Sequence, residues 1–266
     1  MAGFKYDGTL DLRPGSAAAQ VLALVGENKE VLEVGCATGY MSRVLVERHG
    51  CRVTGIELDP RAAEKAAVIC RQVICGDIES LDLPPELGPF EVIIFGDVLE
   101  HLRHPEETLR KVRSLLAEGG YLVASIPNLT HLSVVLELIR GRFLYRRLGL
   151  LDDTHLRFFC RETVDQLFQN AGYRITWWGR VVIPPELTEF QTDLESFPGQ
   201  LIDYLKEQNP DYDTYQFVVR AEKNENCAGT PVEENETGHH RSSGRKLAER
   251  PVAKRGHCRF ARKAAA

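Results

Sequence analysis

The 266-residue chain has no pair of cysteines in C-x-x-C spacing. Its seven cysteines, Cys36, Cys51, Cys70, Cys75, Cys160, Cys227 and Cys258, fall irregularly and are odd in number, which argues against both a disulfide framework and a structural zinc site and fits a reducing compartment. No apolar run approaches the roughly 18 residues that span a bilayer, and Met1 to Asp11 lacks the basic and apolar regions of a secretory signal. The expectation is a cytoplasmic protein with no stable membrane insertion. Internal repeats are absent as well, and no low-complexity block interrupts residues 1–222.

Charge is unevenly distributed. Residues 223–266 hold ten Lys/Arg against five Asp/Glu, leaving 23 against 33 for residues 1–222. The basic end also lacks apolar periodicity, so 223–266 reads as a disordered, solvated tail, with nucleic acid an unlikely partner. Residues 1–222 read as one domain.

Within that domain, short apolar runs alternate with amphipathic stretches, the rhythm of a parallel sheet covered by helices. Strands are expected at Val31–Val34, Arg52–Ile56, Gln72–Cys75, Phe90–Phe95 and Tyr121–Ile126, with two last strands at Tyr173–Val182 and Thr214–Ala221. Helices are expected at Ser16–Glu27, Tyr40–His49, Pro60–Ile69, Pro105–Ala117, His131–Tyr145 and Arg161–Ala171. The second and third of the helices between the first five strands open on proline, which suits the first turn. The fold class is α/β: a Rossmann-like, seven-stranded, mostly parallel sheet with helices on both faces.

The first strand runs into Gly35-Cys36-Ala37-Thr38-Gly39, the place where open α/β sheets bind ligands. A dinucleotide site would want G-x-G-x-x-G so that pyrophosphate could sit on the helix N-terminus. Here the glycines are spaced G-x-x-x-G behind Glu33, and an acid there repels phosphate and suits a cation. The second strand ends at Glu57-Leu58-Asp59, where a carboxylate can accept both ribose hydroxyls. The third ends at Gly76-Asp77-Ile78, where an acid can accept from an adenine amino group.

With the Phe95-Gly96-Asp97-Val98-Leu99-Glu100-His101 segment after strand four and Glu118-Gly119-Gly120-Tyr121-Leu122 leading into strand five, this ordered set resembles the class I S-adenosylmethionine-dependent methyltransferases over about residues 15–222. The resemblance implies a cofactor-binding core at about 28–127 and a substrate cover at about 128–160. It implies that Gly35 and Gly39 line the methionine part of S-adenosylmethionine, with Cys36 and Ala37 between them, that Glu33 meets the cofactor amine through the loop, that Glu57 holds the ribose and Asp77 faces the adenine, with Leu58 and Ile78 beside them at the cofactor, and that Gly96 lies beside the sulfonium. Ala37, where many members carry glycine, crowds the loop slightly.

Methyl transfer from a sulfonium is an in-line displacement, so the enzyme positions an acceptor and helps remove its proton. Asp97, Glu100 and His101, at spacing i, i+3, i+4, would share one face of a helix after strand four, and His155 follows in Asp152-Asp153-Thr154-His155. In ubiquinone-type O-methyltransferases and small-RNA 3′-end methyltransferases, a similar acid-x-x-Glu-His segment and a downstream histidine resemble a divalent-metal site. Carried across, Asp97, Glu100, His101 and His155 would hold Mg, Mn or Zn, although Asp97 is one carbon shorter than the Glu at that place. Two other readings stay open: His101 or His155 as a metal-free general base, with Asp97 beside them in the catalytic group, or a purely local role for Glu100 and His101. His104 before Pro105 reads as a helix start, and His49 as surface.

The cover is apolar and then basic, and Arg140, Arg142, Arg146, Arg147 and Arg157 would meet a phosphate or carboxylate or simply be solvated. Ile126-Pro127-Asn128 together with Thr154-His155-Leu156-Arg157-Phe158-Phe159 resembles bacterial methyltransferases of glycan and O-antigen assembly. Trp177-Trp178 either stacks on a sugar or packs on the sheet. The main expectation is O-methylation of a small-molecule or glycan-precursor hydroxyl. The alternatives are a quinone-type or N-directed methyltransferase, or a non-catalytic cofactor-binding interaction module. An Asn/Asp-Pro-Pro-Tyr segment after strand four, expected of many N-methyltransferases, is absent. Oligomeric state is left open.

Overall fold

The first five expected strands form β1 (Glu30–Val34), β2 (Arg52–Glu57), β3 (Gln72–Cys75), β4 (Phe90–Gly96) and β5 (Leu116–Pro127), and the last two form β6 (Tyr173–Val182) and β7 (Thr214–Lys223). They make one seven-stranded sheet in the order β3-β2-β1-β4-β5-β7-β6, with β7 antiparallel to both neighbours and the other pairings parallel. The computed structural model describes residues 10–225. Most of the expected basic tail, with Cys227 and Cys258, lies outside the described residues, whereas Lys223 closes β7.

Burial on both faces explains why the central strands read as continuous apolar runs rather than alternating ones. Leu32, Val34, Ile93, Phe95, Leu122 and Ala124 pack on one face against Leu109 and Val112 of α4 (Pro105–Val112) and Val164 and Phe168 of α6 (Arg161–Asn170). Val31, Val53, Val92, Ile94 and Val123 pack on the other against Val21 and Val25 of α1 (Ala17–Val25) and Leu45 of α2 (Tyr40–His49). Each Val, Leu, Ile or Phe side chain among them contributes about 1.5–3 kcal/mol when fully buried.

Caps set the boundaries. Ser16 accepts the Ala19 N–H at the start of α1, and Asp59 accepts the Arg61 N–H ahead of Pro60 at the start of α3 (Pro60–Ala66). Glycines with positive φ, Gly39 and Gly50, bracket α2.

Four departures from the expected elements bear on the site. Asp97 to His101 does not open a helix: Asp97 sits at φ +54 and only a single 3₁₀ turn, Leu99–His101, follows. The next helix begins at Pro105, with His104 as its N-cap. Helix α4 stops at Val112, because β5 takes in Glu118-Gly119-Gly120, where a Cβ on Gly120 would meet the carbonyls of Phe90, Glu91 and Ala117. Helix α5 (Leu132–Ile139) ends before Gly141, φ +72, so 142–148 is not helical. An unforeseen α7 (Gly199–Gln208) packs Ile202 on Leu132 and Leu136 of α5.

Candidate active site

Strand order reverses between β1 and β4, and the carboxyl ends of β1, β2 and β4 lie level, with Val34 opposite both Ile56 and Phe95. This is the crevice where open α/β sheets receive ligands. A cavity of about 1110 Å³ occupies it.

The glycine loop forms the floor. Gly35 at φ +72 approaches Val98 so closely that a Cβ would stand 2.6 Å from a Val98 methyl. Ala37 holds φ +47 without being glycine, and its N–H donates to Glu57 Oε2 at 2.7 Å. Glu57 Oε1 accepts the Asp59 N–H at 2.8 Å. One carboxylate therefore ties the β1 and β2 loops together while its residue lines the cavity. Asp77, Ile78, Leu58 and Gly96 also line it.

Three residues expected at the cofactor stand behind this lining. Gly39 is turned to α3, where a Cβ would meet Ile69 and Ala66. Cys36 is buried, its sulfur against the place a Gly55 side chain would take, and it contributes nothing to the cavity wall. Glu33 is buried, accepts a hydrogen bond from the Ser42 hydroxyl and does not line the cavity.

Burial pushes the Glu33 carboxyl up to about 8. An acid whose folded pKa is raised binds more protons folded than unfolded, so stability is fully present below about 4.5 and is lost as pH rises towards 8. Glu33→Gln, which keeps an acceptor for Ser42, is expected to raise the melting temperature over wild type more at pH 8.5 than at pH 5.5 by scanning calorimetry. An equal shift at both pH values would show that Glu33 carries its charge throughout.

At the other side of the cavity, the 3₁₀ turn presents Glu100 and His101, and the cover brings His155. The ligating atoms of Glu100, His101 and His155 all lie within 4.8 Å of one another, and the two imidazole rings meet edge-on with centroids 4.8 Å apart. His101 Nδ1 donates to the Thr154 carbonyl at 3.1 Å, which puts the ring's lone pair on Nε2. Glu100 is 1% exposed, and neither carboxylate oxygen has a hydrogen-bond partner. Burial, reinforced by Asp97 and Asp152, holds its carboxyl well above the usual carboxylate range.

Asp97, the fourth residue of the expected ligand set, is not in this group of three, although it lines the same cavity. Its Oδ1 accepts from Ser125 Oγ at 2.6 Å and from Gln216 Nε2 at 2.9 Å, which ties it to β5 and β7 while it stays within electrostatic reach of His101. The helical spacing that would align it with Glu100 is absent because there is no helix there.

Several lining residues carried no sequence signal. Tyr215 and Gln216 enter from β7, and Leu148, Gly149 and Asp152 from the non-helical part of the cover. Their placement depends on antiparallel pairing of Pro127 with Gln216. The cover arginines named above are not in the lining. Arg140 and Arg142 pair with Glu137, Arg146 stacks over Phe190, and Arg157 donates to the Arg103 carbonyl. Trp178 packs between Arg161 and Phe217, and Trp177 is 40% exposed on β6; neither lines the cavity.

The sequence profile of the family described as "Methyltransferase domain" matches residues 11–176. The chain belongs to that methyltransferase family, and S-adenosylmethionine is its cofactor. Over 166 residues the chain is 28% identical to the ubiquinone biosynthesis O-methyltransferase of Psychrobacter arcticus, covering 59% of this chain and 64% of that protein. The ubiquinone biosynthesis O-methyltransferase of Coxiella burnetii is 24% identical over 155 residues, covering 56% of this chain and 65% of that protein. The chain thus matches just under two thirds of the length of these relatives. In fold it is similar to the magnesium protoporphyrin IX methyltransferase of Synechocystis with bound SAH, at TM-score 0.52 and 17% identity over 81% of this chain and 89% of that one.

Proposed function

We propose that the protein transfers the methyl group of S-adenosylmethionine to a hydroxyl oxygen of a small acceptor, and that a phenolic quinone precursor is the acceptor class. The observation that carries this reading is the cluster of Glu100, His101 and His155 facing the same cavity as Gly96 and Glu57. One side takes the cofactor and the other has the groups that an acceptor hydroxyl needs.

The cofactor supplies an electrophilic methyl group on a sulfonium. Glu57 accepts the ribose hydroxyls, Asp77 faces the adenine, and the Gly35–Ala37 backbone leaves room for the methionine part. At the acceptor end, Pro127, Leu148, Leu156 and Tyr215 give an apolar wall, and His101 and His155 give the polar end. Leu148 and Leu156 of that wall are each more than half exposed, which suits an acceptor with an apolar substituent. The glycan-precursor acceptor of the main expectation has less support here, because neither the cover arginines nor the tryptophans line the cavity.

A divalent cation fits the cluster. A fully buried carboxylate without any hydrogen bond is costly unless a cation or proton neutralises it, and the two imidazoles beside Glu100 complete a mixed nitrogen and oxygen donor set suited to Mg, Mn or Zn. Held there, the cation would lower the pKa of an acceptor hydroxyl. His101, oriented by the Thr154 carbonyl, and His155, fixed on the cover, would be ligands; Glu100 would be the charge-matching one.

The test is production of S-adenosylhomocysteine from S-adenosylmethionine with 3,4-dihydroxybenzoate as acceptor, in EDTA and after adding back Mg, Mn or Zn. Turnover that EDTA abolishes and a cation restores is the expected result. Turnover indifferent to EDTA would assign proton removal to His101 or His155 alone, and absence of catechol methylation with cofactor binding intact would overturn the acceptor class.

A further inference from the structure

The acceptor wall is held by a residue outside it. Leu148, Gly149, Asp152, His155 and Leu156 belong to one stretch of the cover and line the cavity. Its far end is tied to the 3₁₀ turn, because the Glu100 carbonyl accepts from the N–H groups of Leu156 and Arg157 and the Thr154 carbonyl accepts from His101. Its near end is tied to Glu189. Glu189 Oε1 accepts the Leu150 N–H at 2.7 Å, and Oε2 accepts the Tyr215 hydroxyl at 2.9 Å.

Three further features point to a built contact. Gly149 sits at φ +102, and a Cβ there would collide with the Glu189 carboxylate, so the approach of Glu189 requires glycine at that place. The segment carrying Glu189 is tied by its own bonds: Thr188 Oγ1 donates to the Pro185 carbonyl at 2.9 Å, and the Gln191 N–H donates to the Thr188 carbonyl at 3.0 Å. Beside it Leu150, Leu151 and Val134 form a buried cluster against which Phe190 and Tyr215 pack. Glu189 therefore spans from a self-bonded loop to both the cover and strand β7.

We infer that Glu189 is a positioning residue for the acceptor: through Leu150 and Tyr215 it holds the cover segment 148–156 against β7 and thereby sets the acceptor-binding wall, while leaving the cofactor side untouched. This rests on the reading of the site as one that takes a phenolic acceptor. The contact is geometric rather than charge-dependent, since a glutamine there still accepts from Leu150 through its oxygen and donates to the Tyr215 oxygen through its amide.

The test uses the full chain with two probes, S-adenosylhomocysteine by calorimetry and 4-nitrocatechol, followed by its visible absorbance, in the presence of S-adenosylhomocysteine. In Glu189→Ala the Kd for 4-nitrocatechol is expected to rise about tenfold, with S-adenosylhomocysteine affinity held within about twofold. Glu189→Gln is expected to restore most of the loss, Glu195→Gln, at an exposed acid of the 3₁₀ turn Leu194–Ser196 outside the cavity lining, to do nothing, and Tyr215→Phe combined with Glu189→Ala to cost no more than Glu189→Ala alone. Unchanged 4-nitrocatechol affinity in Glu189→Ala, or equal weakening of both probes, would overturn the inference. Should wild type bind S-adenosylhomocysteine but not 4-nitrocatechol, the acceptor class fails, and hydrogen exchange then decides on the contact itself. Faster exchange at the Leu150 amide in Glu189→Ala, reversed in Glu189→Gln with cofactor affinity unchanged, would uphold the positioning role, and unchanged exchange would refute it.

Discussion

Replacing Glu57 with alanine is expected to weaken S-adenosylhomocysteine binding by about a hundredfold or more. Two bonds from ribose hydroxyls to a carboxylate are worth about 1.5–3 kcal/mol each when the acceptor is charged. The loss has a second source in the loop itself: Glu57 also accepts the Ala37 and Asp59 N–H groups, and Ala37 is held at φ +47. A left-handed non-glycine residue costs roughly 1–2 kcal/mol and persists only while its surroundings hold it. Without the carboxylate the Ala37 amide loses its partner and the loop is free to relax away from the cofactor geometry. Adding Ala37→Gly to Glu57→Ala is therefore expected to recover part of the fold stability but little of the affinity. Calorimetric titration and thermal unfolding of the single and double variants measure the two effects separately. Retained micromolar affinity in Glu57→Ala would mean that the cofactor lies elsewhere.

Glu100→Gln is expected to move activity and stability in opposite directions. The side chain is fully buried with both oxygens unpartnered and its carboxyl held well above the usual range, so a glutamine of the same shape avoids the cost of taking out of water an acid that is ionised in the unfolded chain. In EDTA the variant should melt several degrees above wild type, at about 2–4 °C per kcal/mol for a chain of this size. Methyl transfer to 3,4-dihydroxybenzoate should fall by about a hundredfold, because the cation proposed for this cluster would lose its one negative ligand. S-adenosylhomocysteine affinity should stay within about twofold, since Glu57 and the glycine loop do not depend on Glu100. A variant that is both less stable and fully active would show that Glu100 serves the fold alone.

The relation of sequence to structure differs between the halves of this site. Glu57, Asp77 and the Gly35 turn could be located from the chain alone, because each lies at the end of an apolar run and parallel strands in register bring such ends to one edge. The turn at 97–101 misled: a spacing of i, i+3, i+4 predicts a shared helical face, but Asp97 takes positive φ to bond Ser125 and Gln216, and the helix begins only at Pro105. His155 was found through its resemblance to a downstream histidine rather than through any periodicity. Its approach to His101 rests on the Glu100 carbonyl taking the Leu156 and Arg157 amides.

By itself the sequence determined the parallel α/β core, the glycine loop and the acids at the strand ends, since hydrophobic period and turn chemistry are local properties of consecutive residues. Only the tertiary structure decided the side of the cavity that carries His101 and His155. Tyr215 and Gln216 arrive on an antiparallel strand, Glu189 on an aperiodic loop, and Leu148 to Leu156 on a cover without regular structure. Contacts between segments so far apart in the chain leave no period to read, and they form only when β7 inserts between β5 and β6.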